Sequence, residues 1–507
     1  MRRAILTIAA ALFCTGCTQE RPEGNAIVVA MANAPINLDP RVAADEASQK
    51  ANQLLYNTLV RIDDDLRIVP ELAESLEQPD PLTYVAVLRR GVLFHDGREL
   101  TAEDVVYTFG SFLDPAFRGR AGAYRQLLAS VHARDRYTVE FRLKEPFGSF
   151  PVNLVMGIVR AGSGDANARQ PIGTGPYKLR TFVQDDRLVL DPFDRYFGGP
   201  PANDGIVLKV VPDDTMRGLE LRKGTVDLVV NDLAPDIVWQ LRQEGRLQVT
   251  SSAGSDYAYI GLNLRDPVLQ HLDVRRAIGH AIDREAIVKY LRRGFATVAV
   301  GILPPMSWAF EPDVVQFQHD PHRARQLLDA AGFPDPDGEG PLPRFHLTLK
   351  TSTVEMYRVQ AAAIQHDLAR VGIALEIRSS EFLKLLDDVV RGNFQLYQAQ
   401  FVGVTDPDML RRVFHSAQMP PAGLNRVLYE DPEVDQLIES AARTVDDEDR
   451  RAMYVRAQRL IAEDVPYISL WYKTNIAVFQ PGIRGVRLSP IADFTFLKDV
   501  SREAAGP

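Results

Sequence analysis

The polarity pattern of the chain alternates between strand-like and helix-like stretches from Ile27 onward. Residues 82–88 carry β-branched and apolar side chains at period two, which predicts a half-buried strand. Thr101 predicts the start of a helix, because it is a good N-cap and is followed by acids that suit the positive end of the helix dipole. The apolar positions of this helix are Val105, Val106, Phe109 and Phe112.

Capping and turn-forming residues predict most of the later helices. Asp-Pro pairs at 320–321 and 431–432 each place a capping Asp before Pro at the first helical position, and Gly332 is typical of a helix end. Further helices are predicted around 354–370 and 448–463, followed by strands at 373–377 and 466–471. Because strands and helices interleave over most of the chain, the predicted fold class is α/β with partly parallel sheets.

The length of the chain predicts how many domains it has, and its net charge excludes one class of protein. At about 100–200 residues per domain, 507 residues predict two to four domains with large cores. The chain has 58 Lys and Arg against 67 Asp and Glu, a formal charge of −9. This acidic balance argues against a nucleic-acid-binding protein, which needs a basic surface to replace phosphate counterions.

The N-terminus contains both cysteines of the chain, Cys14 and Cys17. Two arginines precede an apolar run at 4–13, which is too short to span a bilayer and fits an export signal. Small residues before Cys17 resemble a bacterial lipobox, with Cys14 where that pattern has Leu. We therefore predict a signal peptide at 1–16, a lipidated Cys17 and a linker at 17–25. The alternative is an ordinary cleaved signal and a soluble periplasmic protein.

No arrangement of residues in the sequence favours catalysis. His95-Asp96-Gly97 lies between a strand and a capped helix, where Asp-Gly is typical of a turn and no second His stands at ligand spacing. Gly173-Thr174-Gly175-Pro176 lacks the Gly-Lys-Ser/Thr of a phosphate loop, so it too predicts a turn. Neither a Gly-x-Ser-x-Gly elbow nor a His-Glu-x-x-His motif occurs. We predict a protein that is not an enzyme and has no catalytic residue, metal site or cofactor.

The segment from Leu88 to Phe109, LRRGVLFHDGRELTAEDVVYTF, resembles a signature of the family 5 extracellular solute-binding proteins. These are the peptide-, dipeptide- and nickel-binding receptors of ABC importers. The resemblance continues in order over nearly the whole chain after the signal. The further matching segments lie at 37–40, 56–73, 172–177, 274–284, 320–333, 364–373, 431–437 and 449–466.

The resemblance implies a two-lobed, type II clamshell fold with an extra inserted domain. Lobe I is predicted at 26–50, 165–255 and 478–507, the inserted domain at 51–164 and lobe II at 260–472. The crossings at about 256–263 and 470–480 are the predicted hinges. Closure around a ligand then depends on the ligand binding the closed form more tightly than the open form.

The resemblance also indicates residues that face the ligand. In peptide-binding relatives a tryptophan and an aspartate precede an Asp-Pro in lobe II, and that aspartate pairs with the ligand's α-amino group. Here Phe401 stands near the tryptophan position and Gly403 stands at the aspartate position, so Asp406 or Asp408 is the candidate replacement. Asp406 is equally well explained as a capping residue before Pro407.

Other candidate ligand contacts follow from polar loops. Arg426 is a candidate partner for a carboxylate, because arginine binds carboxylates with two parallel hydrogen bonds. Thr351 begins a polar turn between a strand and a helix, where a helix N-terminus favours an anion. The complete predicted ligand-binding set is Asn33, Thr351, Phe401, Gly403, Thr405, Asp406, Asn425 and Arg426.

The sequence therefore predicts a lipid-anchored, monomeric receptor at the periplasmic face or cell surface that captures short peptides and delivers them to an ABC permease. Three alternatives stay open at this point. The first is a receptor for a non-peptide solute such as a sugar, opine or metal chelate. The others are a secreted hydrolase on a similar fold and a sensor that reports ligand occupancy to a membrane partner.

Overall fold

The structure is a computed structural model that describes residues 26–119, 122–338 and 340–503. The predicted signal peptide, the predicted lipidation site Cys17 and the predicted linker lie outside the described residues. No helix within the described ranges is both long enough and apolar enough to cross a membrane.

The strands follow one another along the chain at short intervals. They are β1 (Ile27–Met31), β2 (Val60–Ile62), β3 (Ile68–Pro70), β4 (Ala73–Asp80), β5 (Thr83–Leu88), β6 (Leu128–Ala133), β7 (Thr138–Leu143), β8 (Tyr177–Val183), β9 (Arg187–Pro192), β10 (Ile206–Val210), β11 (Leu228–Val230), β12 (Gln248–Leu262), β13 (Ala296–Val298), β14 (Phe345–Ser352), β15 (Ile373–Ser380), β16 (Leu396–Phe401), β17 (Tyr467–Phe479), β18 (Ile483–Arg484) and β19 (Ser501–Arg502).

The helices are interleaved with these strands. They are α1 (Glu46–Leu55), α2 (Ala102–Leu113), α3 (Gly122–Leu127), α4 (Asp214–Lys223), α5 (Pro235–Glu244), α6 (Leu272–Ala281), α7 (Arg284–Ala286), α8 (Pro321–Ala330), α9 (Glu355–Ala369), α10 (Phe382–Val390), α11 (Met409–Phe414), α12 (Pro432–Arg443) and α13 (Asp447–Asp464). A π-helical turn, Ile287–Leu291, follows α7.

One mixed sheet runs through the molecule and connects its two lobes. Its strand order is β15-β14-β16-β12-β17-β11-β1-β10-β9-β8, with β13 paired to β17. We call the half with β1 and β8–β11 lobe I and the half with β14–β16 lobe II; the long strands β12 and β17 belong to both. Parallel pairs occur in each half, β1 with β10 and β11, and β14 with β15 and β16, which confirms the predicted partly parallel α/β class.

Helices cover both faces of the sheet in lobe II. Because successive side chains of a strand point to opposite faces, Ala258 and Ile260 of β12 join a core with α6, α8 and α9. Tyr257 and Tyr259 point the other way, into a second core with α10–α13. In lobe I, α1 and the C-terminal segment cover one face, and α4 and α5 cover the other.

A separate antiparallel sheet, β4-β5-β7-β6, forms the core of the inserted domain together with α2. Aromatic side chains fill this core, and the rings of Phe112 and Tyr124 are stacked with centroids 4.2 Å apart. The domain also contacts lobe II, because Gly148 N–H donates to the Ala442 carbonyl over 2.7 Å. The two-lobed fold with an inserted domain is thus present, whereas the predicted residue boundaries stay predictions.

The helix starts predicted from capping residues are confirmed. Asp320 accepts a hydrogen bond from Arg323 N–H at the start of α8, and Asp431 accepts two at the start of α12. Gly332 follows α8 with a φ of +88°, a left-handed conformation that glycine adopts without a steric penalty. Local capping residues therefore mark these helix ends in the sequence.

The predicted turn at His95 is also confirmed. Gly97 has a φ of +89°, and the imidazole lies between two backbone groups of the Gly173–Gly175 turn. Gly173 N–H donates to Nδ1 over 3.3 Å, so Nε2 carries the proton and donates to the Gly175 carbonyl over 3.1 Å. Burial lowers the pKa of His95 to about 4, which keeps the ring neutral in this structural role.

Candidate ligand-binding site at the junction of the lobes

The pairing of β12 with β17 is interrupted where the two lobes meet. Ala253 pairs with Thr474 and Tyr257 pairs with Tyr472, so the three residues 254–256 lie opposite Lys473 alone. This bulge is held from both lobes, because Ser255 N–H donates to the Pro490 carbonyl of lobe I over 3.0 Å. The Ser255 carbonyl in turn accepts from Val404 N–H of lobe II over 3.1 Å. Such bulges bend a strand and redirect its side chains.

The bulge places Asp256 between the two lobes. One carboxylate oxygen accepts from Gln400 Nε2 and the other from Gly403 N–H, both over 2.9 Å. Burial raises the pKa of Asp256, although Lys473 and the Gly403 N–H act in the opposite direction. Asp256 is thus a poorly solvated carboxylate held by the segment in which sequence comparison expects the amine-binding aspartate.

Lobe I contributes charges to the same junction. Lys50 of α1 pairs with Glu46 over 2.7 Å, and its Nζ lies 5.0 Å from the centroid of the Phe494 ring. Both Lys50 and Glu46 are close enough to Asp256 of β12 to act on its pKa, Lys50 lowering it and Glu46 raising it. The junction therefore contains charges of both signs from both lobes.

Arg292 approaches the junction from the end of the π-helical turn. Its guanidinium carbon lies 5.7 Å from the centroid of the Trp471 ring of β17. Burial lowers the pKa of Arg292, while Tyr357 and Asp256 act in the opposite direction. Tyr357 and Asp256 both favour the charged form of Arg292. The three side chains are therefore close enough to interact electrostatically, and we call them one electrostatic neighbourhood.

The first turn of α9 borders this neighbourhood through Tyr357. Burial raises the pKa of the Tyr357 hydroxyl, with Asp256 acting in the same direction and Arg292 in the opposite one. The residue at the N-cap of α9 is Val354, whose side chain is 56% exposed and has no polar group to accept from the first-turn N–H groups. A helix start without a capping side chain leaves the positive end of its dipole available to an external anion.

Two of the predicted ligand contacts lie inside lobe II, where their polar groups have internal partners. Thr351 is fully buried, and its hydroxyl donates to Gln398 Oε1 over 3.3 Å beneath α9. Asn425 is also fully buried, and its amide bonds to the carbonyls of Phe414, His415 and Tyr429 and to Tyr429 N–H. With their polar groups satisfied inside lobe II, these two side chains stabilise the scaffold, and their contact with ligand stays a prediction.

The other predicted residues lie either at the junction and on the surface of lobe I or in the core of lobe II. Gly403 lies at the junction, where its N–H binds Asp256, and Asn33 is exposed on the loop after β1 in lobe I. Phe401 is instead stacked on Tyr259, with ring centroids 4.9 Å apart, in the core that faces α10–α13. Arg426 lies near Tyr259, and its covered Nε has no hydrogen-bond acceptor among the described residues. Whether any of these residues contacts ligand stays a prediction.

Asp406 lies between lobe II and the inserted domain, next to the partly buried Thr405. Burial and the neighbouring Asp408 raise its pKa to about 6, against opposing contributions from Asp408 N–H, Ser149 and Arg450. Ser149 belongs to the inserted domain, and Arg450 of α13 donates to its hydroxyl over 2.9 Å. Asp408 N–H donates to Asp406 over 2.8 Å, a local bond of the kind expected from the capping interpretation.

Sequence reasoning missed the charged residues at the junction, among them Asp256, Arg292 and Lys473 of the strands and the π-helical turn. They come from β12, the end of the π-helical turn and β17, and only the tertiary fold brings them together. One signal was present, because Asp256 is the only charged residue in the predicted hinge segment 256–263. Within the described ranges, no group of three or more His, Cys, Asp and Glu side chains is arranged to hold a metal ion.

Two lobes joined by two long strands, with charges gathered at the crossing, define a two-lobed binding protein. The sequence matches the family model described as bacterial extracellular solute-binding proteins, family 5 Middle, over residues 67–419. The chain therefore belongs to the family 5 extracellular solute-binding proteins, as the resemblance in its sequence predicted. This is a family of solute-binding proteins, not of enzymes.

Named relatives cover nearly the whole chain. The oligopeptide-binding protein AppA of Bacillus subtilis is 31% identical over 93% of this chain and 90% of its own length. Heme-binding protein A of Haemophilus influenzae is 27% identical over 96% of this chain and 97% of its own length.

Solved structures agree with the fold. AppA of Bacillus subtilis, in complex with a nonapeptide, superposes with a TM-score of 0.77 at 29% identity, covering 94% of this chain and 99% of its own. The ABC transporter-associated periplasmic binding protein DppA of Helicobacter pylori, in complex with the peptide STSA, gives a TM-score of 0.78 at 28% identity, covering 94% and 98%.

Proposed function

We propose that this protein captures short peptides between its lobes and delivers them to the permease of an ABC importer. The observation that carries the proposal is the junction itself, where charges of both signs from both lobes surround the β12 bulge. Peptides with free ends carry both charges. Relatives named for binding oligopeptides, and solved relatives with bound peptides, support the same ligand class.

Closure of the lobes gives the mechanism. The bulge at 254–256 and its partner Lys473 are the proposed hinge, because regular pairing stops there and resumes on either side. A ligand that touches both lobes stabilises the closed form only by its difference in affinity for the two states. Moving the closed fraction from 1% to 99% requires a difference of about 5.5 kcal/mol, which several charged contacts together can supply. The permease then recognises the closed monomer.

The identity of the bound ligand tests this proposal directly. Protein purified without refolding should release a mixture of short peptides on denaturation, detected by mass spectrometry of the soluble fraction. A sample unfolded and dialysed before the same treatment is the control, and it should release none. Recovery of one non-peptide species in a stoichiometric amount would contradict the peptide proposal.

A non-peptide solute is the second candidate, since Gly403 stands where a peptide-binding relative has its amine-binding aspartate. The relative named heme-binding protein A shows that similar chains are named for other ligands. The same mass spectra distinguish the two candidates, because peptides fragment into amino-acid series and a single chelate or sugar does not.

The predicted lipid anchor is a separate part of the proposal and depends on Cys17. Cys17→Ser should move the protein from the membrane pellet to the soluble fraction, because several acyl chains hold a protein firmly and one chain is marginal. Cys14→Ser is the matched control and should leave the protein in the membrane, since Cys14 departs with the predicted signal. Wild-type protein already in the soluble fraction would show that the ordinary signal, not the lipobox, operates.

A further inference from the structure

The strand directions identify the edges of the two lobes that face each other. β11 runs antiparallel to β17 in lobe I and β16 runs antiparallel to β12 in lobe II, so the carboxyl ends of the parallel strands in each lobe point toward the other lobe. The side chains after these ends are largely exposed, 67% for Ile36 after β1, 56% for Val354 after β14 and 73% for Val402 after β16. The lobes therefore stand apart at these three points.

One segment of lobe II nevertheless reaches lobe I beside the crossing strands. After the π-helical turn, Arg293 and Gly294 have φ angles of +53° and +78°, and two successive residues with positive φ turn the chain sharply. The side chain of Phe295 then lies in the core of lobe I that α4 and α5 cover. The following residues form β13, which pairs with β17 on the side opposite β12. We call residues 293–295 the strap.

The strap contacts the first turns of α5 in lobe I through Arg293. Its Nε donates to the Asp236 carboxylate over 2.5 Å, and its guanidinium carbon lies 5.3 Å from the centroid of the Trp239 ring. The side chains of the ion pair are 38% and 56% exposed, so the pair contributes little to overall stability. An exposed cation–π contact adds a comparable amount. Contributions of this size still shift an equilibrium between two arrangements of the lobes severalfold.

Rotation of the lobes about the crossing strands affects the two ends of the strap differently. The Phe295 carbonyl accepts from Thr474 N–H of β17 over 3.4 Å, so this end lies beside the proposed hinge. Asp236 belongs to a helix packed on one face of the sheet, and it moves with lobe I relative to Arg293. Because the ion pair is already at hydrogen-bond distance it cannot shorten, and closure must break it or force Arg293 into another rotamer.

We propose that the contact of Arg293 with Asp236 and Trp239 is a latch that stabilises the open arrangement of the lobes and thereby lowers the affinity for every ligand. The inference rests on the lobe closure of the proposed function and is independent of the kind of ligand. When the binding-competent form is a minor species, the apparent Kd equals the intrinsic Kd divided by the fraction of that form. Loss of the latch therefore tightens binding by the factor by which the closed fraction increases.

The first test removes the latch and leaves the charges at the lobe junction in place. Arg293→Asn removes both contacts and suits the left-handed backbone, because Asn adopts a positive φ more readily than most residues. Calorimetry on ligand-stripped protein should show about fivefold tighter binding of an equimolar pool of synthetic tripeptides with free ends. Asp236→Asn removes only the ion pair and should tighten binding about twofold.

Glu244→Gln is the matched control, because Glu244 is also an acid of α5 paired with an arginine. It binds Arg222 over 2.7 Å with similar exposure, but both residues belong to lobe I. The control should keep the wild-type affinity within about 1.5-fold. A second pool, of pentapeptides with free ends, separates the latch from a ligand contact. A change in the closed fraction alters the affinity for both pools by the same factor, whereas a lost ligand contact does not.

The closed fraction is also measurable without a ligand. In the Cys17→Ser protein, Met216→Cys and Leu383→Cys allow dyes to be attached at exposed positions in the first turns of α4 and α10, which begin at the facing edges. Single-molecule energy transfer should show the closed population of ligand-free protein rising about fivefold in Arg293→Asn and staying constant in Glu244→Gln.

Each other outcome contradicts the latch. Unchanged or weaker affinity of Arg293→Asn for both pools, or an unchanged closed fraction, would do so while leaving the proposed function standing. Factors that differ between the pools would identify Arg293 as a ligand contact instead. If Arg293→Asn does not fold, the smaller effect of Asp236→Asn decides. Wild-type protein that binds neither pool would contradict the proposed function, and the closed fraction of the ligand-free protein would then decide the latch by itself.

Discussion

Replacing Gly254 with alanine should destabilise the protein by about 3 kcal/mol and weaken ligand binding at least about tenfold. A Cβ atom at this position would lie well inside 3.0 Å of the Lys473 carbonyl oxygen, an approach that Cβ atoms in proteins do not make. The obstacle is backbone on the partner strand, so rotation of a side chain does not relieve it. The two strands must separate at the proposed hinge, which moves Asp256 as well.

Urea unfolding and calorimetric titration with an equimolar pool of synthetic tripeptides with free ends measure the two effects. Gly301→Ala is the matched control, because no atom lies within 4 Å of its added Cβ, and Gly301 contacts Tyr472, the residue next to Lys473. The control should change stability by less than about 0.5 kcal/mol. If the two variants had the same stability and the same affinity, the strands at the bulge would separate without a measurable loss of free energy. The proposed hinge would then be contradicted.

Capping and turn residues in the sequence predicted the ends of those helices whose caps are formed by their own neighbouring residues. The helices after Asp320 and Asp431 begin where capping places them, and Gly332 ends the first of them. The last long strand was predicted at 466–471, whereas β17 continues to Phe479. Polar residues at 473–475 interrupt the apolar pattern there, and the strand continues because the first half of β12 pairs with it. That pairing is between residues more than 200 positions apart, and no local pattern indicates it.

The positions of site residues are harder to predict from sequence than helix ends, because contacts between distant segments decide them. Polar residues in a turn before a helix look alike in sequence whether they face a cleft or the interior. Thr351 and Asn425 are satisfied inside lobe II, and their partners include Gln398 of β16 and Phe414 of α11, which lie outside their own turns. Arg292 and Asp256 are 36 positions apart, and their proximity depends on how α7 and the π-helical turn return the chain to the bulge.

Asp406→Asn should stabilise the protein at pH 7.5, and most of the gain should be lost at pH 4.5. The folded-state pKa of about 6 is above the ordinary value of 3.8, so folding favours the protonated form. The stability contribution of this carboxyl is complete below pH 4 and is lost as the pH rises through about 6. A shift of two pKa units corresponds to about 3 kcal/mol at most, and partial exposure reduces the expected gain to about 1–2 kcal/mol. Asparagine keeps an oxygen for Asp408 N–H and carries no charge.

Urea midpoints at the two pH values measure this gain, and Asp320→Asn is the control with the opposite sign. Asp320 caps α8, and its hydrogen bond from Arg323 N–H lowers the pKa, so its contribution is present at neutral pH and lost on acidification. Titration with the tripeptide pool distinguishes the two roles predicted for Asp406. Unchanged affinity with increased stability at pH 7.5 identifies a capping carboxyl whose charge is unfavourable between lobe II and the inserted domain. Lost affinity with unchanged stability identifies a ligand contact instead.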